Sequence, residues 1–269
     1  QLYTMRDQDY VSRLIQRAKD AKCSALVITL DLQILGQRHK DLKNGLSAPP
    51  KLTAKTLANL ATKWGWGIEM LGAKRRHFGN IVGHVHGVTD NADLGAWTAE
   101  QFDPSLDWDK IAKIKAQWGG KVILKGILDA EDARMALKVG ADAIIVSNHG
   151  GRQLDGALSS IRMLPEILDA VGDQIEVHLD GGIRSGQDVL KAMAMGAKGT
   201  YIGRAFIYGL GAMGQQGVTR ALEVIHRELD LTMALCGETQ VASLGRHNLL
   251  IPRNFGGDWQ EWPRDPVKC

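Results

Sequence analysis

The stretch SNHGGRQLDG, Ser147 to Gly156, holds the densest set of reactive residue types in the chain. An apolar run, ADAIIV, ends in Ser147, and His149, two glycines and Arg152 follow at once. Histidine titrates near neutrality and so accepts a proton readily. The planar guanidinium of arginine offers paired donors to a carboxylate. A base three residues before such a fork suits proton removal from a 2-hydroxy acid; a structural histidine in a plain turn is the alternative reading. Lys125, closing VILKG, adds a point charge that the Schiff-base lysine of an aldolase would also supply, although His149 argues against that chemistry. In LDGGIRSG and YIGRA, Gly181, Gly182 and Gly203 permit close backbone approach, while Arg184 and Arg204 supply charge. That combination is expected to hold a phosphate rather than merely to form tight turns.

Repeated units must position these residues. GILDAEDARMALKVGADAIIV and GIRSGQDVLKAMAMGAKGTYI align without a gap at an offset of 56 residues. Each reads as a cap (Asp129, Ser185), an amphipathic helix, a Gly-Ala stop and a short apolar strand. VSRLIQRAKDAKCS followed by ALVITLD is a partial third copy. Such alternation implies parallel βαβ units of an α/β protein, and near-identical repeats favour a (β/α)8 TIM barrel over a doubly wound sheet. Six strands are expected: QLYTM, ALVITLD, VILKG, ADAIIVSN, IEVHLDGG and GTYIGR. A barrel needs eight, so two strands are expected upstream of Gln1, where the chain opens without a methionine. In such barrels reactive groups sit at the C-terminal strand ends. Here those are Gln1 and Tyr3, Thr29 and Asp31, Lys125, Ser147 with His149 and Arg152, Asp180 to Arg184, and Gly203 with Arg204.

The 269 residues, 44% apolar with 31 glycines, fit one large α/β domain spanning 1–269. A net charge of +3, without arginine-aromatic arrays, gives no reason to expect nucleic acid. Cys23, Cys236 and Cys269 are expected to be free thiols. No apolar run reaches the ~18 residues of a membrane span. GLGAMG, Gly209 to Gly214, matches a dinucleotide fingerprint but does not follow a strand directly, and reads instead as outer helix. HVH, His84 to His86, lacks a third metal ligand nearby, and no metal is expected. From about 50 to 110 the repeat fails in a long insert. There Trp64, Trp66, Leu71 and Phe78 interleave with Lys63, Lys74, Arg75 and Arg76, as in a segment lying on an anionic membrane surface; a lid or an oligomer contact is the alternative.

Taken together, ITLD, LGQRHKDLKNG, VILKGIL, SNHGGRQLDG, LDGGIRSG and YIGRA resemble the FMN-dependent L-2-hydroxy acid oxidases and dehydrogenases, the glycolate oxidase and flavocytochrome family, from Gln1 to about Asn254. The insert and FDPSLDWDKI look most like the membrane-associated L-lactate and mandelate dehydrogenases. The resemblance implies FMN as cofactor and His149 as the base that starts oxidation, with Asp31 pairing to it. It implies Arg152 and Arg38 on the substrate carboxylate, Tyr3 on the substrate oxygen, and Lys125 beside the flavin N1 and O2 edge. Gln1, Thr29 and Ser147 would bond the flavin edge and Asp180 the ribityl chain. Gly181, Gly182, Arg184, Gly203 and Arg204 would hold the phosphate. It also implies electron transfer to a quinone or cytochrome, peripheral attachment to the cytoplasmic side of the inner membrane, and a homo-oligomer, commonly a tetramer. The family's upstream segment supplies a further substrate-binding tyrosine and part of the flavin pocket, so the substrate side-chain wall is not read from this chain. L-lactate comes first, with glycolate or mandelate, and an oxidase using O2, as alternatives. From other classes come a non-redox FMN barrel, which has little need of Arg152, and a non-enzymatic interaction module.

Overall fold

The computed structural model describes residues 1–34, 36, 38–44, 53–73, 78–82, 84–85, 97 and 100–255. Their contacts divide into two compact units, one of Gln1–Lys125 with Arg152–Asp155, the other of Gly126–Gly151 with the chain from Gly156 onward. The first unit contains β1 (Leu2–Tyr3), α1 (Gln8–Asp20), β2 (Ala25–Thr29), α2 (His39–Lys43), α3 (Ala54–Ala61), α4 (Trp64–Gly72), α5 (Trp108–Trp118) and most of β3 (Lys121–Ile127). β1 and β2, then β2 and β3, pair in parallel, and the register sets Tyr3 opposite Thr29 and Thr29 opposite Lys125. Three polar strand-end residues therefore lie in one row.

The second unit continues from the end of β3 through α6 (Ala130–Lys138), β4 (Ala143–Val146), α7 (Ser160–Val171), β5 (Glu176–Asp180), α8 (Gly186–Met195), β6 (Gly199–Tyr201) and α9 (Arg204–Leu235). Ser147 donates its N–H to the Ile127 carbonyl at 3.1 Å, and β4, β5 and β6 pair in parallel. All four residues of β4 are buried, as befits a parallel strand covered on both faces. Strand order follows chain order from β1 to β6, and all six expected strands are present.

Local sequence explains the helices. Asp129 accepts from the Glu131 N–H at 2.8 Å to start α6, and Ser185 with Asp188 closes a reciprocal capping box on α8. Asp7 caps α1, whose buried face is Tyr10, Val11 and Ile15. FDPSLDWDK is fastened at both ends: Phe102 bridges Met5, and Asp107 caps α5. In its middle, buried Asp103 meets Lys110 at 2.8 Å. Burial works to raise the Asp103 pKa, but bonds from Lys110 and Ser105 and the Lys110 charge bring it below its ordinary value. GLGAMG does lie in the outer helix α9, across a break at Met213 and Gly214 where φ is −142° and +59°. Within the insert, α3 and α4 are helical. Lys74, Arg75, Arg76, His86 and Cys269 lie outside the described residues; Cys23 and Cys236 are free, exposed thiols.

Beyond α9 the chain is clasped by one carboxylate. Glu238 accepts from the Ser243 hydroxyl, from Asn248 Nδ2 at 2.8 Å, and lies 2.9 Å from His247 Nε2. The clasp keeps Leu244 and Leu249 against Leu190, Ala194 and Met233. The Ser243 bond first, then those from Asn248 and His247, lower the Glu238 pKa from 4.5 to about 2. A carboxylate depressed on folding contributes stability that is complete above its unfolded pKa and is lost as pH falls through its folded one. Glu238→Gln is therefore expected to lower Tm at pH 7. The gap to the parent chain should narrow between pH 4.5 and pH 2 in thermal melts followed by circular dichroism.

Candidate functional site

In the second unit, Ser147 ends β4 with its side chain buried, 1% exposed. Its hydroxyl donates to Asp180 Oδ1 at 2.6 Å and accepts the His149 N–H at 3.1 Å. His149 sits in the left-handed region at φ +56°, a conformation that disfavours any residue with a Cβ. The next residue, Gly150, has φ +66°, and its carbonyl accepts from Arg204 Nη2 at 2.7 Å. The positive φ favours glycine there, and a Cβ would stand 2.8 Å from that nitrogen, so a side chain at 150 would push the Arg204 end aside. Two of the expected site segments, SNHGG and YIGRA, thus meet directly.

Across the end of β5, the Ser160 hydroxyl donates to the Asp180 carbonyl at 2.6 Å. A Cβ on Gly181 would lie 3.0 Å from that hydroxyl, and Gly181 and Gly182 both have positive φ, +96° and +82°. Past Gly203, α9 begins with no side-chain cap, so its first N–H groups face outward beside Arg204. A cavity of about 390 Å³ runs from Arg184 and Arg204 along α9, past Tyr208, Met213, Arg220 and Val224. Gly181 and Gly182 line a separate cavity of about 590 Å³. Uncapped helix N–H groups beside Arg184 and Arg204 make a donor set that fits a phosphate.

In the first unit, Gln1 Nε2 donates to Thr29 Oγ1 at 2.7 Å and to the Tyr3 hydroxyl at 3.2 Å, tying the polar row together. Leu30 donates its N–H to the Lys125 carbonyl, and Asp31 follows directly. Arg38 Nε donates to the Arg152 carbonyl at 3.4 Å, and Arg152 Nη2 meets Asp41 Oδ2 at 3.1 Å. Burial first, then the Arg152 charge, lower the Arg38 pKa, with Asp41 and Tyr3 acting against them. The two arginines expected at a carboxylate are therefore neighbours. Asp31 lies in the first unit and His149 in the second. Trp64, Trp66, Leu71 and Phe78 are 75%, 54%, 74% and 63% exposed.

Residues 1–251 match the model of a family described as FMN-dependent dehydrogenase. The chain belongs to the FMN-dependent dehydrogenase family. An L-lactate dehydrogenase from Caulobacter vibrioides (strain NA1000 / CB15N) is 44% identical over 257 residues, covering 94% of this chain and 67% of that protein. One from Acinetobacter baylyi is 40% identical over 251 residues, covering 93% of this chain and 65% of the relative. Among solved structures, a monotopic membrane protein, (S)-mandelate dehydrogenase, superposes with a TM-score of 0.86 at 31% identity, covering 93% of this chain and 65% of the other. A mandelate oxidase gives a TM-score of 0.70 at 38% identity, covering 91% and 61%. The chain spans about two thirds of the length of these relatives. Its fold class is the (β/α)8 barrel, to which the described residues bring six strands.

Membership makes FMN the cofactor, and the uncapped start of α9 with its arginines fits the phosphate end of that molecule. Residue-type reasoning did not single out Ser160, Asp41 or Gln153. Gln153 stood inside HGGRQLD and Asp41 inside LGQRHKD, so the motifs carried a signal; Ser160 had none beyond its place near a helix start. Gly150→Ala is expected to lower stability by about 1–2 kcal/mol through the left-handed backbone alone. It should also displace Arg204 and weaken FMN binding, measured by titrating flavin fluorescence quenching.

Proposed function

We propose that this chain carries the machinery for FMN-dependent oxidation of an L-2-hydroxy acid to the 2-oxo acid, with L-lactate as the first substrate. The observation that carries the reading is a histidine held at φ +56° between Ser147 and Gly150, in a loop that runs on to Arg152 and its neighbour Arg38. The L-lactate dehydrogenase names of the relatives support lactate; the mandelate enzymes among the structural neighbours keep mandelate as the alternative.

In this scheme Arg152 and Arg38 bind the carboxylate, which fixes the substrate's orientation, and Tyr3 bonds its oxygen. His149 takes up a proton as the hydroxy acid becomes the oxo acid, and Asp31 stabilises the imidazolium so formed. FMN, when bound, accepts the two electrons released. Lys125 would supply positive charge on the N1 and O2 side of the bound flavin. Gln1, Thr29 and Ser147 would line the ring edge, Asp180 would meet the ribityl chain, and Gly181, Gly182, Arg184, Gly203 and Arg204 would hold the phosphate. Adding L-lactate anaerobically to the FMN-loaded protein is expected to bleach the flavin bands near 450 nm by the ordinary two-electron reduction of flavins, on the order of a full-amplitude change. His149→Gln should slow bleaching about 10³-fold or more, within or beyond the usual range for loss of a general base. An unchanged oxidised spectrum with lactate, mandelate and glycolate alike would sink the reading.

The electron acceptor is proposed to be a quinone or cytochrome at a membrane surface, with the protein a homo-oligomer bound peripherally on the cytoplasmic face. Support comes from the exposed Trp64, Trp66 and Leu71 of α4 and from the monotopic mandelate dehydrogenase neighbour. No helix among the described residues is long and apolar enough to cross a membrane. Co-sedimentation with anionic vesicles is expected, and Trp64→Ser with Leu71→Ser should abolish most of it. Equal pelleting of the double variant would refute α4 as the contact, and fast reoxidation by O2 would favour an oxidase.

A further inference from the structure

Arg38 raises a physical problem that its expected role does not solve. It is a partly buried cation that feels the charge of another cation, Arg152, with Asp41 and Tyr3 acting the opposite way. Before any substrate carboxylate arrives, something must hold the two side by side against repulsion. An acidic residue on Arg38 would do so, but would cancel the charge the substrate needs.

The residue present is Gln153. Its Oε1 accepts from Arg38 Nη2 at 3.2 Å, and its Nε2 donates to the Ile34 carbonyl at 3.1 Å. Beside it, Gly36 packs so tightly that a Cβ would fall 2.7 Å from the Arg152 and Gln153 carbonyl oxygens. Ile34, Gly36 and Arg38 each thus meet the pair Arg152–Gln153, and Arg38 is held at two points by uncharged acceptors. Asp41 meets Arg152 through one N–H, on the other arginine of the pair.

We propose that Gln153 is a positioning residue that sets carboxylate affinity by holding Arg38 beside Arg152 without neutralising it. The inference rests on the proposed function for the identity of the ligand, a small carboxylate, but not on turnover. Its test is therefore binding of oxalate, a carboxylate that cannot be oxidised as a hydroxy acid, to the FMN-loaded protein by calorimetry. Gln153→Met keeps the side-chain length and removes both bonds; Gln153→Glu keeps an acceptor for Arg38 and adds the charge that glutamine avoids.

Both variants are expected to bind oxalate about 10-fold or more weakly, the range of a lost charge-assisted bond, with FMN affinity within about 2-fold of the parent. With L-lactate, KM should rise by the same factor while kcat changes little, since the bond is made equally in ground and transition states. In an Arg38→Met background, Gln153→Met should cause no further loss, because residues acting through one another are not additive. Parent-like oxalate affinity in Gln153→Glu overturns the proposal, as does a full further loss in the Arg38→Met background or a parallel collapse of FMN binding. Failure of lactate to bleach the flavin, with oxalate binding still dependent on Gln153, overturns the lactate reading and leaves the clamp standing.

Discussion

The hydroxyl of Ser147 is shared between two groups that the chemistry needs in fixed places. It donates to the Asp180 carboxylate at 2.6 Å and accepts the backbone N–H of His149 at 3.1 Å. A left-handed histidine costs about 1–2 kcal/mol relative to ordinary backbone, and one intramolecular hydrogen bond returns only about 0.5–1.5 kcal/mol net. A single bond would leave the conformation near break-even. The Arg204 bond to the Gly150 carbonyl supplies the second anchor, one residue further on. The loop is also tied by Asn148, which accepts from the Gly151 N–H at 3.2 Å and donates to the Leu158 carbonyl at 3.1 Å, so β5, the start of α9 and the loop's own side chains all hold it.

The same structure solves a charge problem repeatedly in one way. Arg38, Arg152, Arg184 and Arg204 are the cations proposed for two anions, a carboxylate and a phosphate. If each were matched by an acidic partner, the fold would be satisfied and the ligands would gain little. Instead Arg204 rests on the Gly150 carbonyl, and Arg38 on the Arg152 carbonyl and the Gln153 amide. Neutral acceptors fix direction while leaving net charge for an incoming anion. Asp41 does carry a charge to the pair: it touches Arg152 through one N–H of a fork that has five, and its charge also acts on Arg38.

The strands and helix starts were legible because their causes are local. ADAIIV must be buried on both faces, Asp129 and Ser185 stand one residue before the helices they cap, and parallel strand ends collect the polar residues. GLGAMG was correctly separated from a nucleotide loop by the missing strand before it, though the break at Met213 and Gly214 was not foreseen. The clamp around Arg38 was not legible, and the reason is physical. Gln153 bonds residues 115 and 119 positions away, and Asp41 reaches Arg152 across 111. No period or spacing encodes such a pair; only the resemblance placed Arg38 near a carboxylate, and it said nothing of what holds the arginine there.

Helix α4 shows how length limits what an apolar surface can do. Its nine residues rise about 13–14 Å, less than half the ~30 Å of a hydrocarbon core. Trp64, Ile68 and Leu71 recur at the spacing that puts them on one face, and all are more than half exposed. In the proposed surface contact, such a face, too short to span, would satisfy its apolar side chains by lying along an interface, where indole rings are favoured at headgroup depth. The strand ends rest on other residues: Gln1 donates to Tyr3 and Thr29, and Arg38 donates to the Arg152 carbonyl and to Gln153. The proposed surface contact draws on apolar area of α4, whereas the proposed carboxylate clamp draws on neutral acceptors around two arginines.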